Sequence, residues 1–311
     1  MKKLRTIFMG TPQFAIPSLY ALAEHFELLL VITQPDRRKG RGKKVIFSPV
    51  KQKAMDLGIE VMQPEIVKGR RFAEKIAKYN PDVIVTAAYG RILGESLLKT
   101  AQYGCINVHA SILPKYRGSA PVNRAILNGD KDAGVSIMET VKELDAGAVF
   151  KIVTTRIGPN ETAGELTDRL AVLGAGALID VLDNIDSIVS FKQDESLVTY
   201  APQLKKSDGH INWADDAVII ERHVRGVHPW PSAFTMWNNK PLKVHASIIL
   251  SKDGLFDVQP GTVIDHTKNG LDVACRKGVL RIIKMQLPGK KILDSKSFFA
   301  GVKIASGTVL L

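Results

Sequence analysis

The sequence predicts an α/β protein: a doubly wound sheet followed by a small β-barrel. Three observations carry this. Short apolar runs alternate with helical patterns over roughly the first 190 residues. One run, Asp-Val-Ile-Val-Thr-Ala-Ala at 82–88, is largely apolar and bounded by Pro81 and Gly90, as is typical of a parallel strand covered on both faces. Beyond residue 208 the pattern changes to short β-rich runs separated by turn signals, Asn269-Gly270 among them.

In chain order, residues 4–9 form a strand ended by Gly10-Thr11-Pro12, and 14–25 a helix with Pro17 confined to its first turn. Residues 27–33 are the next strand. A basic loop follows, then a helix at 49–57, a short strand at 59–62 and a helix at 69–79 stopped by Asn80-Pro81. Residues 164–189 read as a long helix, and the polar stretch 190–208 reads as a linker. Strands at 233–237, 242–250, 261–264, 271–274 and 279–285 compose the barrel. The expected domains are 1–189 and 209–311. Gly10-Thr11-Pro12-Gln13-Phe14 lacks the second and third glycines of a dinucleotide fingerprint, so the Rossmann-like sheet is not expected to hold NAD.

At 45% apolar residues the chain is no disordered polymer. Its longest apolar stretch, 170–179, falls short of the roughly 18 residues of a membrane helix. The basic, then apolar start is interrupted at Gly10 where a signal peptide would continue, which leads us to expect a cytoplasmic protein with no membrane partner. Cys105 and Cys275 are too far apart in sequence for a zinc motif and too few for a disulfide framework; two buried thiols and no metal site are expected.

Lys and Arg number 43 against 31 Asp and Glu, a net charge of +12, and half of that excess falls in the last third of the chain. Such a surface favours polyanions. The sharpest feature is Arg37-Arg38-Lys39-Gly40-Arg41-Gly42-Lys43-Lys44, which follows the turn signal Gln34-Pro35-Asp36. Six like charges repel, so a loop that is mobile when free and orders on phosphates is expected; a merely solvated loop is the alternative.

The densest polar cluster runs from Cys105 to Gly118. Ile106 and Val108 alternate with Asn107 and His109, so a strand places the two polar side chains on one face, about 6–7 Å apart. They would stand at the strand's C-terminal end, where open α/β sheets carry their sites. A carboxamide stabilises a developing oxyanion and an imidazole moves a proton near neutral pH. Asp145, in a turn between two apolar segments, is the candidate carboxylate to orient the ring. On these residues alone, amide-type chemistry and two satisfied polar side chains at a strand end both remain open.

The run Asn107-Val108-His109-Ala110-Ser111-Ile112-Leu113-Pro114-Lys115-Tyr116-Arg117-Gly118 resembles formyltransferases that use 10-formyltetrahydrofolate, with Ile112 a conservative change in their Ser-Leu-Leu-Pro signature. Leu144-Asp145-Ala146-Gly147 resembles their Leu-Asp-x-Gly element. The segments 8–14, 33–36 with the basic loop, 120–130, 199–202 and 229–231 are similar to the methionyl-tRNA formyltransferase family, from residue 4 to about 237.

The resemblance implies transfer of a formyl group from 10-formyltetrahydrofolate to the methionine amine on initiator methionyl-tRNA, with no metal and no DNA partner. It implies that Asn107 and His109 stabilise the tetrahedral intermediate and that Asp145 keeps His109 charged and aligned. Folate would lie against Ser111, Ile112, Leu113 and Pro114, its pterin near Ala87, Ala88, Tyr89 and Gly90. Arg37, Arg38, Lys39, Arg41, Lys43 and Lys44 would read the acceptor stem, and an OB-like barrel would bind the inside of the tRNA, with Arg222, Arg225 and His228 as candidate contacts. Sugar-nucleotide and glycinamide-ribonucleotide formyltransferases, a formyltetrahydrofolate hydrolase and a non-catalytic RNA binder are the rival readings.

Overall fold

A computed structural model describes residues 3–39, 44–254 and 257–311. Two compact units emerge, 1–121 with 132–156 and 167–201, and 122–131 with 157–166 and 202–311. Residues 122–131 and 157–166, which precede residue 189 in sequence, thus group with the second unit.

In the first unit, β1 (Arg5–Gly10), β2 (Glu27–Ile32), β5 (Val61–Met62), β6 (Val83–Ala87) and β7 (Cys105–His109) run parallel; β9 (Asp132–Glu139) and β10 (Val149–Arg156) extend the sheet antiparallel. The strand order is β10-β9-β7-β6-β1-β2-β5. Neighbours Ile7 and Phe8 point to opposite faces and both are fully buried, the mark of a sheet covered on two sides. The connecting helices are α1 (Ile16–His25), α2 (Pro49–Asp56), α3 (Arg70–Ala77) and the short α4 (Glu95–Leu98). Pro17 sits in the first turn of α1, and a 3-10 turn at Gln13–Ala15 replaces the expected start of that helix. Ser48 caps α2 by accepting the Lys51 N–H at 3.0 Å, with Pro49 in its first turn.

The basic segment departs from a plain loop. β3 (Arg37–Lys39) and β4 (Lys44–Ile46) pair antiparallel. Residues 40–43 between them, Arg41 and Lys43 included, lie outside the described residues. The base of this hairpin is pinned: Lys51 Nζ and Gln63 Nε2 donate to the Asp36 carboxylate at 2.5 and 2.8 Å, and the Thr33 and Ser48 hydroxyls bond at 2.7 Å.

Helix α6 (Ala163–Asp183) ends six residues before the expected 189. The stretch read as a linker is built into the first unit as far as Ala201. Phe191 bridges Val149, Glu195–Leu197 is a 3-10 turn, and β11 (Tyr200–Ala201) pairs parallel with β8 (Arg117–Gly118). Its polarity comes from bonding polar loops, which composition cannot distinguish from bonding water.

In the second unit, α5 (Pro121–Asn128, from residue 122) and α7 (Ala217–Gly226) accompany an antiparallel sheet of β12 (Ala233–Trp237), β13 (Lys240–Ser251), β16 (Val279–Gln286), β15 (Gly270–Ala274) and β14 (Val263–Thr267). Strand β17 (Leu293–Asp294) pairs β16 and leads into α8 (Ser295–Phe299). The C-terminal residues complete the ring. Val263 and Gly261 bond to Thr308 and Leu310, while Leu311 exchanges two main-chain bonds with Met236 of β12. Among the described residues no helix is long and apolar enough to cross a membrane.

Candidate functional site

Residues Asn107 and His109 occupy the C-terminal end of β7, between β6 and β9. Ile106 and Val108 are buried and Asn107 is partly open, as the alternation requires. Thr86, the register partner of Asn107 on β6, donates its hydroxyl to Asn107 Oδ1 at 2.9 Å. With Oδ1 occupied, the amide N–H groups of Asn107 are its remaining polar face, and they are donors.

His109 is 6% exposed and meets an acceptor at each nitrogen. Nε2 lies 3.1 Å from the Tyr116 carbonyl oxygen, and Nδ1 lies 3.6 Å from Asp145 Oδ2. Asp145 Oδ2 also accepts the Gly118 N–H at 2.8 Å, which fixes the carboxylate independently of the ring. Tyr116 and Asp145 hold φ of +63° and +48°, and Ala88 holds +45°. Left-handed backbone at three non-glycine residues beside one site is strain the surrounding structure must sustain.

Gly147 of the Leu-Asp-x-Gly element is required by space: a Cβ there would stand 2.0 Å from the Glu139 carbonyl oxygen. Gly118, at φ +126°, would likewise drive a Cβ to 2.6 Å from the Ala201 carbonyl.

The residues expected around folate divide into two groups. Ala87, Tyr89, Ser111 and Leu113 are buried. Tyr89 packs in the sheet's hydrophobic core, where burial pushes its phenol up to about 12. Its carbonyl accepts Gln34 Nε2 at 2.9 Å and Thr11 Oγ1 at 3.1 Å. Ser111 Oγ donates to the Lys115 carbonyl at 2.7 Å, and Ser136 links the Ser111 carbonyl to the Leu113 N–H. Ala88, Gly90, Ile112 and Pro114 retain surface. Of the cationic set, Arg37, Arg38, Lys39 and Lys44 lie on the paired hairpin arms.

The three candidate tRNA contacts in the second unit have neighbours within it. Arg225 pairs with Glu221 at 2.6 Å and donates to the Glu161 carbonyl, and Arg222 lies against Gly129. His228 meets His245 edge-on. Both cysteines are buried, and no cluster of metal-ligating side chains occurs among the described residues.

Sequence reasoning missed Thr86, the Tyr116 carbonyl and the Gly118 N–H. The first was legible only as a strand residue, and the other two act through main-chain atoms that carry no sequence signal.

The fold is that of a formyl transferase. Residues 4–182 match the formyl transferase family model, and residues 203–303 match that of the formyl transferase C-terminal domain. The methionyl-tRNA formyltransferase of Geotalea daltonii is 46% identical over 310 residues, which is 99% of this chain and 98% of that one. That of Caldanaerobacter subterraneus subsp. tengcongensis is 42% identical over 311 residues, 99% of this chain and all of its own. The chain belongs to the methionyl-tRNA formyltransferase family. Among solved structures, the sugar 3N-formyl transferase WlaRD with dTDP and 5-N-formyl-THF superposes with a TM-score of 0.66 at 19% identity, covering 94% of this chain and 100% of that one. HypX from Aquifex aeolicus with tetrahydrofolic acid gives 0.62 at 18%, covering 99% of this chain and 51% of that one. At such identities the likeness concerns the fold alone.

Proposed function

We propose that this protein transfers the formyl group of 10-formyltetrahydrofolate to the free α-amine of methionine on initiator methionyl-tRNA. The convergence of Asn107, His109 and Asp145 at the tip of β7 is the observation that carries the reading.

The neutral amine attacks the formyl carbon and forms a C–N bond. The carbonyl pair moves onto oxygen, where the Asn107 amide and the His109 ring stabilise it; such electrostatic stabilisation is usually the largest single contribution. Collapse breaks the C–N10 bond. The proton lost by the attacking amine goes to N10, with His109 relaying it. Asp145 aligns the ring. The folate passes the exposed backbone of Ala88 and Gly90 and the surface of Ile112 and Pro114. The first unit is catalytic, and the second, with its share of the positive charge, binds tRNA. Arg37, Arg38, Lys39, Arg41, Lys43 and Lys44 read the acceptor stem, their like charges drawn to its phosphates. A weak first base pair opens cheaply and so marks the initiator. The partner is RNA, not DNA, and the site of action is the cytoplasm.

The deciding assay supplies 10-formyltetrahydrofolate with initiator or elongator methionyl-tRNA. Formylation of the initiator in clear preference supports the reading. Formylation of an amino nucleotide sugar with none of the tRNA, or release of formate at full rate without tRNA, overturns it.

A further inference from the structure

The segment leading from α6 to β11 is placed to do more than connect. Gln193 spends both ends of its carboxamide there. Nε2 donates to the carbonyls of Asp145 and Gly147, each at 2.8 Å, and Oε1 accepts from Arg117 Nε at 3.1 Å and Nη2 at 2.9 Å. The reversed amide would set NH2 against a guanidinium that only donates and oxygen against two carbonyl oxygens, so chemistry fixes its orientation. Arg117 is buried, at 3% exposure, and its far side is held by Glu195 at 2.7 and 3.1 Å. Thr199 adds two bonds: its hydroxyl accepts the Tyr116 N–H and its carbonyl the Arg117 N–H, both at 2.9 Å.

The two loops tied together in this way are the two that face His109. One presents the Tyr116 carbonyl to Nε2, and the other presents the Asp145 carboxylate to Nδ1. Asp145 is in left-handed backbone, and Gln193 holds the carbonyls of that residue and of Gly147. Fixing those two peptide planes fixes the direction in which the Asp145 side chain leaves the chain.

We propose that Gln193, supported by Arg117 and Glu195, is a positioning residue that sets the Asp145–His109 geometry for formyl transfer. The inference rests on the roles given to His109 and Asp145 under Proposed function. Gln193 acts through the Asp145 main chain, so its loss moves the chemical step and leaves both substrates bound.

The test uses the full chain in steady-state formylation. Gln193→Met keeps the volume and removes donor and acceptor; kcat should fall about tenfold or more, since small misplacements of catalytic groups are costly. KM for both substrates and the tRNA Kd should stay within about twofold. Gln193→Glu keeps an acceptor for Arg117 but donates to one of the two carbonyls when protonated and to neither when ionised. Its kcat should therefore fall as pH rises through the carboxyl's titration, a limb the parent lacks. A lowered melting temperature with parental kcat below it, and no new limb, overturns the proposal. If Gln193→Met does not fold, Glu195→Gln decides, because that side chain is 71% exposed and the fold tolerates its change. A twofold to fivefold loss of kcat, about what a weakened support predicts, sustains the proposal, and a parental kcat overturns it. Asp145→Asn in the same assay separates the two levels. A parental rate there sinks the reading of the site, whereas severe loss there beside parental Gln193→Met or Glu195→Gln sinks the positioning role alone.

Discussion

Asp145 Oδ2 stands 3.6 Å from His109 Nδ1 while the same oxygen accepts the Gly118 main-chain N–H at 2.8 Å. The carboxylate is therefore held by the backbone first and meets the imidazole at ion-pair distance. This arrangement keeps the ring's partner in place whatever the ring's protonation state. It also ties the aspartate turn to the Tyr116–Gly118 loop that contacts the other nitrogen.

Asn107→Ala and His109→Ala should each lower kcat by about 10² or more, with small changes in tRNA affinity. Steady-state formylation alongside a tRNA-binding assay checks this. Near-parental turnover in either variant contradicts the assigned roles.

Thr86→Val removes the hydroxyl that holds Asn107 Oδ1 and keeps the shape of the side chain. The carboxamide is then free to rotate, and kcat should drop about tenfold. Thr86→Ser retains the donor and should keep most of the activity. Equal kcat in the two variants would refute the orienting role.

Gly147→Ala forces a Cβ to 2.0 Å from the Glu139 carbonyl, where the backbone must move. Overpacking of this kind costs about 1–3 kcal/mol. Thermal melting should register that loss, and formylation should suffer with it because the aspartate turn shifts. An unchanged melting temperature would show that the turn accommodates the methyl group.

The basic hairpin predicts strong salt dependence. Log Kd for tRNA against log salt should change by about 0.7–0.9 per phosphate neutralised. Arg41→Ala should reduce the preference for initiator over elongator while folate binding stays parental. An unaltered preference counts against the hairpin as the reader.

Burial pushes the thiols of Cys105 and Cys275 up to about 12. The thiolate is the reactive form, and at pH 8 it is a fraction of about 10⁻⁴. A thiol reagent should leave the native protein unmodified at that pH and label both cysteines once it is unfolded. Rapid labelling of the folded chain would contradict the burial.

The sequence by itself determined the alternation of strands and helices, the β-rich character of the last third, and the candidates Asn107, His109 and Asp145. All of these rest on local pattern: period-2 alternation at 105–109, apolar runs bounded by Gly and Pro, and turn chemistry at Leu144-Asp145-Ala146-Gly147. Tertiary structure alone decided what holds those side chains. Thr86 reaches Asn107 because two parallel strands share a register, and Gln193 reaches Asp145 from 48 positions away because its segment pairs with β8. It also decided that Tyr89 packs in the sheet's core and that the Ser111 hydroxyl bonds within its own loop. A hydrogen bond to a main-chain carbonyl needs no particular residue at the accepting position. Contacts of that kind leave no trace in the sequence until the chain has folded around them.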